Sequence, residues 1–190
     1  MTGPPSQTTV AATELTAEDL SKLWVELAEP DAAKAFVSMC RLIRAPDQSV
    51  PFLRTQLLPI PRIAPDRLAL LIRDLDSEEF AVRNRASQQL GLMADSAEPA
   101  LEAALHAKPS PEVRRRIGEL LEVVRSPVPT RDQLRAVRSL EVLERIDSDA
   151  TRRLLAVVAE GAPGARLTRE AKASLLRLTL LHENAVRSGR

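Results

Sequence analysis

From Leu20 onward the apolar residues recur at helical spacing. Leu20, Leu23, Trp24 and Leu27 fall at i, i+3, i+4 and i+7, and Ala32, Phe36, Met39 and Ile43 at i, i+4, i+7 and i+11, each drawing one stripe on a 3.6-residue period. Thr16 stands where an N-cap belongs, with Asp19 three residues on to complete a capping box. A third, shorter helix carries Phe52, Leu53 and Leu57 in a region punctuated by Pro46, Pro51, Pro59, Pro61 and Pro65. The run Leu58 to Ala64 (LPIPRIA) reads as an extended connector, because a residue preceding proline is pushed out of helical space. Leu68, Leu71, Ile72 and Leu75 then mark a helix starting at Pro65 or Asp66. Further on, Gly161 reads as the C′ cap of a Leu- and Val-rich helix, with the next helix starting near Thr168.

The pattern repeats. Val82, Ala86, Leu90 and Met93 have the same mutual spacing as Val113, Ile117, Leu121 and Val124, 31 residues later, and in both copies the Val is followed by Arg. Ala136, Leu140 and Leu143 correspond in the same way to Ala171, Leu175 and Leu178 at a period of 35. Such periods indicate stacked helical hairpins, since one hairpin cannot bury its own apolar face. The two blocks do not share a register, because Ile117 and Ala136 are only 19 residues apart, so the helix from about Arg131 to Ile146 either closes one repeat or opens another. The expected fold is all-α, a right-handed α-solenoid of about four hairpins. Its expected divisions are a disordered tail or linker over 1–14, an N-terminal hairpin region over 15–60, the repeat array over 61–183 and a flexible C-terminus over 184–190.

Asp76-Ser77-Glu78-Glu79-Phe80-Ala81-Val82-Arg83, followed by Ala86, Leu90 and Gly91, resembles the first helix of a HEAT repeat of the type found in phycobilisome-lyase-like proteins, and Ala97 to Leu105 resembles the second. Leu23 to Leu57 and Glu141 to Leu178 are similar to helical segments that follow β-propeller WD repeats in large bacterial multidomain proteins. The resemblance implies a scaffold that binds other proteins, standing alone or as a module of a longer chain. It also implies that Arg83 and Arg114 join acidic residues across the stack, and it leaves two alternatives: a lyase-type accessory subunit, or a nucleic-acid-binding HEAT-like protein.

Composition agrees with helix: aromatic residues make up 2% of the 190, with no Tyr, whereas Leu, Ala, Arg and Glu abound. The single Cys40 forms no intrachain disulfide, and no apolar run approaches the roughly 18 residues of a membrane span, so a cytoplasmic, non-membrane protein is expected. Catalytic chemistry finds no constellation. Cys40, His106 and His182 are far apart in sequence, with neither metal-site spacing nor a neighbour to activate the thiol. Gly161-Ala162-Pro163-Gly164 lacks the Gly-Lys-Ser/Thr ending of a phosphate loop. No enzyme, cofactor or metal is expected.

Binding is left to the surface. The formal net charge is only +1, but from Arg131 to Arg190 there are 12 Lys or Arg against 8 Asp or Glu. Arg114-Arg115-Arg116 cannot form one patch, since successive helical residues point about 100° apart. Arg131, Arg135, Arg138 and Arg145 instead project within about 80° of one another, away from Ala136, Leu140, Leu143 and Ile146. That stripe is the expected binding surface, for an acidic protein partner. Nucleic acid is disfavoured by the near-neutral charge and the scarcity of stacking aromatics.

Overall fold

The computed structural model describes residues 14–126 and 128–188, so the expected tail over 1–14 lies almost wholly outside them. Among the described residues there are ten α-helices and no strand. They are α1 (Ala17–Glu26), α2 (Ala32–Arg44), α3 (Pro46–Gln56), α4 (Pro65–Asp74), α5 (Phe80–Leu92), α6 (Ala94–His106), α7 (Pro111–Val124), α8 (Arg131–Ile146), α9 (Asp149–Ala159) and α10 (Arg166–Ser188). None is long and apolar enough to cross a membrane.

Local chemistry fixes most starts. The predicted capping box at α1 is formed, with Asp19 N–H donating to Thr16 Oγ1 and Thr16 N–H to the Asp19 carboxylate. Thr130 with Gln133 and Ser148 with Thr151 form the same box at α8 and α9. Pro46, Pro65 and Pro111 open α3, α4 and α7, where a missing N–H is lost from groups unpaired in any case. Pro51, by contrast, does not interrupt α3, and Pro99 lies inside α6.

The helices gather around two cores. α1–α3 and α8–α10 together enclose Leu23, Leu27, Leu42, Leu53, Leu143 and Leu155. α4–α7 enclose Leu75, Leu90, Leu101 and Ile117. The chain therefore leaves the first core after α3, builds the second, and returns at α8. This departs from the expected single solenoid in chain order, in which repeats touch only their neighbours, because α2 packs directly on α8. Hairpin stacking survives locally: α4 packs on α6, α5 on α7 and α8 on α10.

The 31-residue repeat matches this stacking, since Ala86 and Leu90 on α5 and Ile117 and Leu121 on α7 are all buried in the second core. Of the 35-residue pair, Leu140, Leu143, Ala171 and Leu178 are buried in the first. The break in register falls between α7 and α8, where the chain crosses from one core to the other.

Several local expectations change. Phe36 is 54% exposed, and α2 buries Ala35, Ser38, Met39 and Leu42 instead. The inward Ser38 hydroxyl donates to Glu26 and Lys34 O, so a polar residue sits on the core face and shifts the apparent stripe. Gly161 follows α9 as expected, but no glycine among the described residues has positive φ, so it is not a left-handed cap. A Cβ there would lie 2.5 Å from Thr168 Oγ1 and 2.9 Å from Ile60 N, so glycine admits the close passage of the 58–64 connector. Ala162 N–H donates to Ile60 O at 2.8 Å in the same crossing. α10 starts at Arg166, slightly before the expected Thr168, and remains helical to Ser188 through most of the segment expected to be flexible.

Candidate functional site

The four arginines expected to form a binding stripe have different environments. Arg131, in the first turn of α8, is exposed, and so is Arg145, which donates to Glu141 at 3.0 Å. Arg135 and Arg138 turn inward onto α1. Arg135 Nε donates to Trp24 O at 3.2 Å and its guanidinium lies 5.2 Å from the Trp24 ring centroid. Arg138 Nη1 donates to Leu27 O at 2.8 Å and Glu29 O at 2.6 Å.

The stripe is therefore not one free surface. Ser139 and Val142 are fully buried along with Leu140 and Leu143, which widens the covered arc of α8 to about 160° at about 100° per residue. Arg135 falls inside that arc and Arg138 just beyond its edge. A helix packed on α2, α3, α9 and α10 at once has little solvent face to offer.

The other candidates remain apart. Cys40 is half-buried on α2, His106 is exposed at the end of α6, and His182 is exposed on α10 with Nδ1 3.3 Å from Arg152. Among the described residues no three His, Cys, Asp or Glu side chains are placed to hold a metal ion. Arg83 donates to Ser77 O at 2.6 Å and Glu78 O at 2.9 Å, closing the loop before α5, while Arg114 is exposed. Neither forms an ion pair among the described residues, unlike the acidic partnership the resemblance implies. The perturbed carboxylates are structural ties. Arg115 and Arg116 hydrogen-bond Glu112 and hold its carboxyl at about 2. Arg177 on α10 clamps Glu144 on α8 at 2.8 and 2.7 Å and lowers its pKa.

An open cleft of about 840 Å³ lies where the two cores meet. One wall is the connector at Ile60 to Ala64 with the start of α4. A second is formed by the ends of α5 and α7 with the start of α6, and the third by the starts of α8 and α10. The junction is fixed by the Gly161 crossing and by Glu98 on α6, which receives Arg125 at 3.1 Å and faces Arg169 of α10 at 3.8 Å.

Two residues in the cleft are out of place for an ordinary surface. Leu92 is 89% exposed and Val123 is 68% exposed. They occupy equivalent positions of the 31-residue repeat, one at the end of α5 and one at the end of α7. Because α5 and α7 are neighbours in the stack, the repeat sets two apolar side chains on one edge where the core does not use them. This signal was present in the sequence, but a stripe-based reading discards apolar residues that fall off the stripe. Arg62 and Arg67 lie close together in sequence, and folding brings Arg166 from the start of α10 to the same cleft.

These features define an all-helical protein of two cores joined across an open cleft. The chain matches no family model, no curated protein and no solved structure.

Proposed function

We propose that the protein is a non-catalytic protein-interaction module that holds a segment of a partner in the cleft between its two cores, α4–α7 being two stacked hairpins of HEAT-like type. The observation that carries this reading is the repeated, exposed pair Leu92 and Val123. Single exposed apolar residues are ordinary, but apolar side chains clustered in a concavity mark binding surfaces. The cleft volume of about 840 Å³ suits several partner side chains. Helical hairpins stacked in parallel offer such an edge to a partner as a regular ladder.

Site-specific photo-crosslinking tests it. A photoreactive amino acid at position 92 or 123 should crosslink one protein species, identified by mass spectrometry, and the same residue at Val25, 57% exposed on α1, should not. Equal crosslinking from Val25, or none from 92 and 123, counts against the cleft. Replacing Cys40, His106 and His182 together by Ala should leave the crosslink intact. Its loss in a folded triple variant would count against a role free of those side chains.

A further inference from the structure

Resting on the reading of the cleft as a docking surface, we infer that its occupant is acidic: an amphipathic protein segment whose apolar side chains pack on Leu92 and Val123 while flanking Asp or Glu side chains meet Arg62, Arg67 and Arg166. The cleft carries these three guanidinium groups against one carboxylate, Asp95. Arg62 is partly engaged, donating to Glu160 O at 3.2 Å with the Glu160 carboxylate 3.8 Å away. Arg67 and Arg166, like half of the arginines among the described residues, form no ion pair there, so both guanidinium groups are available to an incoming carboxylate.

Their positions strengthen the argument. Both lie in the first turn of a helix, Arg67 in α4 and Arg166 in α10. A cation there faces the positive end of the helix dipole, which favours anions instead. α4 has Asp66 in its first turn to compensate, whereas α10 has no acidic residue there. The amides of Arg166 and Leu167 at the cleft wall donate to no protein acceptor among the described residues. A cation set against a dipole, as Arg166 is at the start of α10, raises the local potential and is relieved when a carboxylate arrives. Charges at the rim of an apolar groove of this kind select the partner and speed its approach. The stacking aromatics that would favour a nucleic acid strand are missing from the cleft lining, which holds no Phe, Tyr or Trp.

Two synthetic amphipathic peptides of equal length, with the same Leu positions and either Glu or Lys at every polar position, are labelled with fluorescein and titrated with the intact protein by fluorescence anisotropy. The Glu peptide should bind, and the Lys peptide should bind at least about tenfold more weakly. Affinity for the Glu peptide should fall as salt rises to about 0.5 M, where screening reaches within roughly 4 to 5 Å. Arg67→Glu with Arg166→Glu should reverse the preference between the peptides, and Leu92→Ser with Val123→Ser should abolish binding of both. These four residues are partly or largely exposed, so the variants should fold, and thermal melts check that they do.

Equal binding of the two peptides, with both lost in the Leu92→Ser, Val123→Ser variant, overturns the acidic occupant while keeping the docking surface. Glu-peptide binding that survives that variant overturns the docking surface itself. Failure of both peptides to bind, or tighter binding of a fluorescein-labelled single-stranded oligonucleotide than of the Glu peptide, also overturns the acidic protein segment.

Discussion

Replacing Arg138 by alanine separates an arginine that builds the fold from one that decorates it. Its Nη1 donates to Leu27 O at 2.8 Å and to Glu29 O at 2.6 Å, so one guanidinium from α8 holds two carbonyls at the end of α1. α1 has no basic residue in its own last turn, and the cation its C-terminus favours arrives from elsewhere in the chain. A hydrogen bond from a charged donor contributes about 1.5–3 kcal/mol net. The two bonds share a nitrogen, and the side chain is only half-buried, so water recovers part of the loss and Arg138→Ala should cost about 2–4 kcal/mol. With a urea m-value of about 1–3 kcal/mol/M, the unfolding midpoint should fall by roughly 1–2 M. Trp24, the only tryptophan, packs against the same core, so its fluorescence follows the transition directly. Arg145→Ala is the control, because its exposed i, i+4 pair with Glu141 is worth only about 0.3–0.5 kcal/mol. Midpoints for the two variants that agree within error would refute the structural role of Arg138.

Leu90→Ala and Leu121→Ala remove equivalent buried side chains and should each cost about 2–5 kcal/mol in denaturant titrations followed by circular dichroism, whereas Gln89→Ala should cost far less. Gly161→Ala places a methyl group against Thr168 Oγ1 and the Ile60 backbone and should lower stability by about 1–3 kcal/mol, so an unchanged melting temperature would contradict the crossing. Glu112, held at about 2 by Arg115 and Arg116, contributes stability that is present above its unfolded value of 4.5 and is lost as pH falls from there towards 2. Solvent screening keeps that contribution small. Acid titrations of the wild type and Glu112→Gln should therefore converge at the low end of that window, and curves that stay parallel across it would exclude the ion pair as a source of acid sensitivity.

Helix identity and many boundaries are legible in the sequence because they depend on neighbours. Thr16 with Asp19, Pro65 at the start of α4 and the span Arg131 to Ile146 all rest on interactions within a turn or two, which the chain order displays. The equivalence of Leu90 with Leu121 is legible for a similar reason, since adjacent hairpins in a stack meet the same environment. The meeting of α2 with α8 is not. Each helix shows an apolar stripe, but nothing in a stripe says which other stripe it will cover, and a return across the four helices of the second core looks the same in sequence as one more repeat. The only trace is negative, the lost register between Ile117 and Ala136, which marks where stacking stops.

The inward arginines of α8 and the exposed apolar pair of the cleft both run against one assumption, that polar residues face water and apolar ones face the core. Arg135 and Arg138 can turn inward because a guanidinium meets carbonyls and an indole face that would otherwise be left at the end of a helix, and Ser139 can be buried because its hydroxyl donates to Arg135 O at 2.8 Å. Leu92 and Val123 can remain outside because the second core is already closed by Leu90 and Leu121, two residues earlier in each helix. A helix carrying the core on one face and an apolar side chain on another has a second surface to satisfy. Repetition of that second position in α5 and α7 distinguishes it from a stray exposed residue, whereas on the α8 stripe Arg135 and Arg138, two of the four arginines, are already bound to the end of α1.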